Sequence, residues 1–205
     1  MQVKTIQDGT YAANFYILTD DEQSAAVLID PSVSPQASGL SVEQLPPVTA
    51  IVLTHGHFDH ILALDEWRAV TGAPVFMATP EASALSDPSR SCYLQFLGQT
   101  TKHDPPDRLL NEGDTVAVGS ESLSVMLTPG HTAGCITLDS GMLLFTGDTL
   151  FADGGYGRFD LPTGDAATLR DSLARILAIS GERCIYAGHG PATRLSEEKK
   201  HFNFL

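Results

Sequence analysis

The chain has 205 residues, 42% of them hydrophobic, which fits one domain of ordinary size over residues 1–205 with enough apolar material for a real core. Twenty-five acidic residues against twelve basic ones leave a formal charge of −13, a surface that repels phosphate backbones and argues against nucleic acid as a partner. No apolar run approaches a membrane span, the opening MQVKTIQDGT lacks the features of a signal peptide, and three widely spaced cysteines (Cys92, Cys135, Cys184) do not make a disulfide framework, so a cytoplasmic protein with reduced thiols is expected.

The first third reads as short strands over Val3–Gln7, Asn14–Thr19 and Ala25–Asp30, separated by the turn pairs Asp8-Gly9 and Asp20-Asp21. Residues 31–47 read as a loop with one short helix. Thr49–Thr54 (TAIVLT) is β-branched and nearly all apolar, as a strand buried on both faces would be. Asp59 to Val70 carries apolar residues at helical spacing and is stopped by Thr71-Gly72. Pro74–Met77 is a short strand, residues 80–99 hold two short helices, and KHDPPD at 102–107 is a turn. Strands follow at Thr115–Val118, Leu123–Thr128, Cys135–Leu138 and Met142–Thr146. A glycine-rich loop at 152–165 leads into an amphipathic helix over Asp165–Ile179, and Cys184–Ala187 is the last strand expected. Two halves, each of strands followed by helices, make an α/β domain with two sheets packed face to face.

The chemistry is concentrated where strands end. LTHGHFDHI, at 53–61, places His55, His57 and His60 around Asp59 just past an apolar run. Three further strand ends repeat the pattern of a polar residue beside glycine: Thr128-Pro-Gly-His131-Thr, Phe145-Thr-Gly-Asp148-Thr and Tyr186-Ala-Gly-His189-Gly. Five of the seven histidines lie in these motifs, leaving His103 and His201 outside. A lone buried histidine is commonly a satisfied core residue. Five imidazoles at strand ends with two aspartates beside them point to cations, because without one many ring nitrogens would lack partners.

THGHFDH, PGHT, GDT and GHG, in that order, resemble the metallo-β-lactamase superfamily over essentially the whole chain. The resemblance implies an αβ/βα four-layer sandwich with metals at one edge of the inner sheets. It implies that His55, His57 and His131 hold one metal, that Asp59, His60 and His189 hold a second, and that Asp148 bridges them. Asp59 is also the carboxylate expected to orient the nucleophile and take up a proton. The cofactors implied are two divalent ions; imidazole plus carboxylate suits zinc first, with iron or manganese also fitting.

Within the superfamily, true β-lactamases lack an aspartate where Asp148 stands, flavodiiron proteins carry glutamate where this chain has His57, and ribonuclease Z carries an RNA-gripping arm absent here. PGHTAGCITL, GDTLF, the loop Gly157-Arg158-Phe159-Asp160-Leu161-Pro162, GHGP and the closing TRLSEEKKHFNFL are similar to the small glyoxalase II-like hydrolases. Those enzymes hydrolyse thioesters such as S-lactoylglutathione, so a small thioester is the expected partner. The alternative is a persulfide dioxygenase using one iron; those enzymes have Pro-Ala-His-Asp-Tyr where this chain has Ala187-Gly188-His189-Gly190-Pro191. A metal-binding scaffold or sensor without catalysis is the non-enzyme alternative. Arg158 is a candidate substrate contact, set against an internal salt bridge with Asp160. Asp30-Pro31-Ser32 departs from the family's more usual Asp-Pro-Gly.

Overall fold

Alternation along the strands sorts the side chains into three apolar layers. In the second strand Phe15 and Ile17 face one way and Tyr16 and Leu18 the other; in the fourth, Ile51 and Leu53 oppose Ala50 and Val52. Each of these strands is therefore buried on both faces, which is why their sequences are nearly continuous apolar runs. The computed structural model describes residues 1–8, 11 and 13–202. The expected turn at Asp8-Gly9 and the closing Asn203-Phe204-Leu205 lie wholly or partly outside the described residues.

One sheet runs β1 (Gln2–Ile6), β2 (Phe15–Thr19), β3 (Ala26–Ile29), β4 (Val48–Leu53), β5 (Val75–Ala78), β6 (Arg108–Leu110), in that spatial order. Its first three strands are antiparallel and β3 to β6 are parallel. The other sheet contains β7 (Thr115–Val118), β8 (Glu121–Leu127), β9 (Ile136–Asp139), β10 (Leu143–Gly147), β11 (Cys184–Ala187) and β12 (Thr193–Arg194), again in chain order. There only β10 and β11 are parallel, and the crossover between them carries a long helix.

The inner faces meet in a core of Tyr16, Leu18, Val27 and Val52 against Val116, Val125, Leu138 and Phe145. Outside the first sheet lie α1 (Pro35–Ser38), α2 (Phe58–Ile61), α3 (Leu64–Thr71) and α4 (Tyr93–Leu97), with Trp67 and Leu64 fully buried in the packing. Outside the second lie α5 (Ala166–Leu177) and α6 (Leu195–His201), which bury Leu169, Leu173, Ile176 and Leu195. The order of layers is helix, sheet, sheet, helix, the expected αβ/βα sandwich. No described helix is long and apolar enough to cross a membrane. The three cysteines are free, Cys92 and Cys135 buried.

Four expectations need correction. The single helix over 59–70 is two, α2 and α3, because the Ala63 N–H bonds to the Pro31 carbonyl at 3.0 Å and leaves the helical ladder. The break lets the first helix aim Asp59 and His60 at a strand end while the second buries Leu64 and Trp67. The segment after KHDPPD adds β6, an edge strand of three residues, too short to show a period. Cys184–Ala187 is not the last strand, since Thr193 pairs with Ile185 and Arg194 with Cys184 before α6 begins. The first helix expected in 80–99 is a 3-10 helix, Thr79–Leu85.

The start of α5 is set by Asp165, whose carboxylate accepts the Thr168 amide at 2.8 Å. Asp165→Ala removes that cap and is expected to lower stability by about 1 kcal/mol in urea denaturation, leaving metal uptake unchanged.

Candidate metal centre

Every expected site residue falls at the same edge of the two sheets. His55 and His57 follow β4, Asp59 and His60 sit in α2, His131 lies between β8 and β9, Asp148 follows β10, and His189 follows β11. His55, His57, His60, His131 and Asp148 are buried, and the ligand-type atoms form two tight sets: His55, His57 and His131, and Asp59, His60 and His189. In each set the atoms lie within 4.8 Å of one another. Asp148 stands between the sets. Its Oδ1 is 3.3 Å from His60 Nε2, and its Oδ2 is 3.4 Å from His189 Nε2 and 3.5 Å from His131 Nε2. His189 Nε2 also lies 3.3 Å from Asp59 Oδ2.

Neighbouring groups fix which ring nitrogen faces inward. His60 Nδ1 contacts the Asp30 carboxylate at 2.9 Å and His131 Nδ1 contacts the Arg158 carbonyl at 2.6 Å. Both partners accept only, so each Nδ1 donates and leaves Nε2 to the centre. The Thr54 hydroxyl donates to Asp30 at 2.5 Å, which leaves its lone pair for His55 Nδ1 at 3.2 Å. Asp30 is thus a hub, also accepting the Thr54 amide at 2.7 Å, and it holds a left-handed φ of 54° to do so. A third grouping, Asp30 with His55 and His60, is geometrically compact. It is a poorer cation site, because the Asp30 oxygens already accept three protons.

The donor set fits metal ions on a further count. His55 Nε2, His57 Nε2, His60 Nε2 and Asp148 Oδ1 are buried without a hydrogen-bond partner. Each such atom costs about 1–3 kcal/mol, so their gathering in one place calls for cations. His57 Nδ1 lies 2.8 Å from His131 Nε2, two nitrogens converging on one point.

Charge divides the two sets. Burial lowers the pKa of His55 and takes that of His57 down to about 3, so both rings are neutral at pH 7. Burial also acts against charge on His60 and His189. At both, the carboxylates outweigh it, with Asp148 and Asp59 raising His60 well above the usual value and hydrogen bonds to the same pair raising His189 to about 9. Burial alone would raise Asp148, but His60 and His189 hold it well below the usual carboxylate range.

Glycines clear the space. A Cβ on Gly188 would lie 2.0 Å from Asp148 Oδ1 and 2.7 Å from His60 Cε1. One on Gly157 would lie 2.0 Å from the Asp148 carbonyl oxygen. Above the centre opens a cavity of about 420 Å³, with Tyr11, Phe58, Phe96, Phe151 and Leu161 as its apolar wall. Phe58 meets Tyr11 edge-on at 5.2 Å and stacks with Phe96 at 5.5 Å. Arg158 lines the cavity too, but its guanidinium makes two bonds to Asp160, at 2.7 and 2.8 Å, so the internal salt bridge is present. His103, outside the motifs, is a satisfied buried histidine between Asp65 and Tyr93.

Sequence reasoning missed three things here. Asp30 was visible only as part of Asp30-Pro31-Ser32, although an aspartate at a strand end matched the pattern of the other motifs. Ser32 in that triplet is buried and its hydroxyl donates to the Ala13 carbonyl at 3.2 Å. The aromatic wall and the buried Glu81 carry no local signal, since both arise from chain segments that meet only in the fold.

Residues 8–189 match the family model described as the metallo-beta-lactamase superfamily. The chain belongs to that superfamily. It is 32% identical to the probable metallo-hydrolase YqgX of Bacillus subtilis (strain 168), and 30% identical to the hydroxyacylglutathione hydrolase GloC of Haemophilus influenzae (strain ATCC 51907 / DSM 11121 / KW20 / Rd). Both alignments cover 100% of this chain and 98% of the relative. Among solved structures, the BLEG-1 B3 metallo-beta-lactamase superposes with a TM-score of 0.90 at 36% identity, covering 100% of this chain and 99% of that one. TTHA1623 in a di-iron-bound form gives 0.78 at 30% identity, with both chains fully covered. ETHE1 from Myxococcus xanthus gives 0.78 at 31% identity, covering 98% of this chain and 83% of that one.

Gly188→Ala should therefore force Asp148 and His60 apart and weaken metal binding on the order of 10–100-fold, read by competition with a chromogenic chelator. The charge division predicts a second result. With its pKa raised to about 9, His189 is protonated in the metal-free protein at pH 7, and its ion pairs stabilise the fold fully below about 6.5 and are lost as pH rises through 9. An ion at Asp59, His60 and His189 must displace those protons, whereas one at His55 and His57 displaces none from these two rings. Calorimetric titration in buffers of different ionisation enthalpy should find proton release when the Asp59, His60 and His189 position fills, with affinity there rising with pH up to about 9.

Proposed function

We propose that the protein is a dinuclear metal-dependent hydrolase acting on thioesters in the manner of glyoxalase II. His55, His57 and His131 would hold one ion and Asp59, His60 and His189 the other, with Asp148 placed between the two sets to be shared by both. The observation that carries this reading is the pair of converging ligand sets around Asp148, with four buried polar atoms left without partners. The whole-length similarity to a hydroxyacylglutathione hydrolase supports the thioester class. Zinc is the first choice of ion, with iron or manganese suiting the same donors.

Two divalent ions in these positions would supply a hydroxide-strength nucleophile near neutral pH and polarise the scissile carbonyl. The chain's own residues do the rest. Asp59, partly open to the cavity, orients the nucleophile and takes up its proton. Asp148 stays ionised, a poor base suited to bridging. Asp30 stops the His60 ring from turning. A thiolate leaves without help from an acid.

The cavity bears on which thioester. Its wall is aromatic, its arginine is engaged by Asp160, and the chain carries a charge of −13. The carboxylates of glutathione find few cations here, so the binding energy comes from an apolar acyl or thiol group stacked on Phe58 and Phe96. We read the partner as a small, weakly charged thioester in the cytoplasm, not a nucleic acid.

β-Lactam hydrolysis is the second reading. It is favoured by the 36% identity to BLEG-1 over the full chain, despite the aspartate at 148 that first argued against it. Metal analysis and a substrate panel separate the readings. We expect two ions per chain and turnover of thioesters, with a phenylacetyl thioester preferred over S-lactoylglutathione at least tenfold in kcat/KM. Phe96→Ala should remove that preference by raising KM. Turnover of a chromogenic cephalosporin with thioesters untouched would establish the second reading. A single iron with oxygen uptake on glutathione persulfide would overturn both in favour of a dioxygenase.

A further inference from the structure

Glu81 is 2% exposed, yet no part of the reaction above uses it. It sits in the 3-10 helix Thr79–Leu85 that follows β5, and burial raises its pKa against the opposing pull of its hydrogen bonds. A buried carboxylate is costly unless its oxygens are met by donors. They are met by groups from two segments far apart in the chain. Oε1 accepts the Gly56 amide at 3.2 Å; Oε2 accepts the Gly134 amide and the Thr132 hydroxyl, each at 2.9 Å.

The positions of those donors are informative. Gly56 is the residue between His55 and His57, on the loop after β4 of the first sheet. Thr132 follows His131, on the loop that enters β9 of the second sheet. One carboxylate thus clamps the segment carrying two histidines to the segment carrying the third. Both glycines press against its helix: a Cβ on Gly56 would lie 2.4 Å from Ala84 Cβ, and one on Gly134 would lie 2.6 Å from Glu81 Cβ. No side chain other than hydrogen leaves room for the clamp at either place. The second ligand set has no such link to Glu81; it is braced by Asp30 on His60 and by Asn14, whose amide donates to the Ala187 and Gly190 carbonyls at 2.8 and 2.9 Å.

We propose that Glu81 is the positioning residue for the three-histidine metal position, setting the separation of His55 and His57 from His131 across the two sheets. The proposal rests on the ligand reading given above. Glutamine has the same shape but presents an NH2 group to one of the two sides, so either the Gly56 amide or the Gly134 and Thr132 donors face a donor.

The test is cobalt(II) titration of the wild-type protein and of Glu81→Gln, followed by visible absorption, with metal-free stability measured separately in urea. The expected result is a changed d–d spectrum and on the order of 10–100-fold weaker binding at the three-histidine position, with the other position changed less than threefold. An E81Q protein with the wild-type spectrum and affinity at that position overturns the proposal. So does equal weakening at both positions, which is what general loosening of the fold would give. If E81Q does not fold, Thr132→Val removes one donor and should alter the same spectrum in the same direction; an unaltered spectrum there overturns the proposal as well. A wild-type protein that takes up no cobalt defeats the ligand reading and the clamp together, whereas normal wild-type uptake with an unaffected E81Q defeats the clamp alone.

Discussion

The fold's least comfortable feature is a knot of imidazoles placed out of reach of water at one sheet edge. His55, His57 and His60 each bury a ring nitrogen that has no hydrogen-bond partner among the described residues. Much of the surrounding structure is explained by the need to hold these rings in that arrangement. Asp30 adopts a left-handed backbone, Thr54 spends its hydroxyl on that carboxylate, and the Arg158 carbonyl is turned toward His131. Each of these is a constraint on tautomer and direction rather than a source of stability, and such arrangements are characteristic of ligand sites.

The two ligand sets are electrostatically unlike. In one, burial keeps the His55 and His57 rings neutral at pH 7. The other mixes two carboxylates with two histidines that take up protons in the absence of metal. A pair of ions at this centre would therefore face a weakly charged seat and a strongly charged one, with Asp148 shared. The charged seat opens to the cavity through Asp59 and His189.

Much of this was legible in the sequence, for identifiable reasons. Strands buried on both faces read as apolar runs, and residues that reach a sheet edge come beside glycine, so THGHFDH, PGHT, GDT and GHG each marked a strand end correctly. The helix at 59–70 was misread because its break depends on the Pro31 carbonyl, a contact from another segment. β6 and β12 escaped because two or three residues cannot display a period and because pairing with β11 is decided by the fold. Within the site, the ligand-type residues were all visible. The residues that orient them were not, since Asp30 and Glu81 work through partners 24 to 53 positions away.

Each sheet is built from one continuous half of the chain, residues up to 110 in the first and from 115 onward in the second. The seven candidate ligands divide between these halves, four before that junction and three after it. A metal pair bound there would act as an inorganic cross-link between two pieces that could each order largely by local strand pairing. It also means that the edge carrying the candidate ligands is a seam between the two halves of the chain, one that bound ions would hold shut.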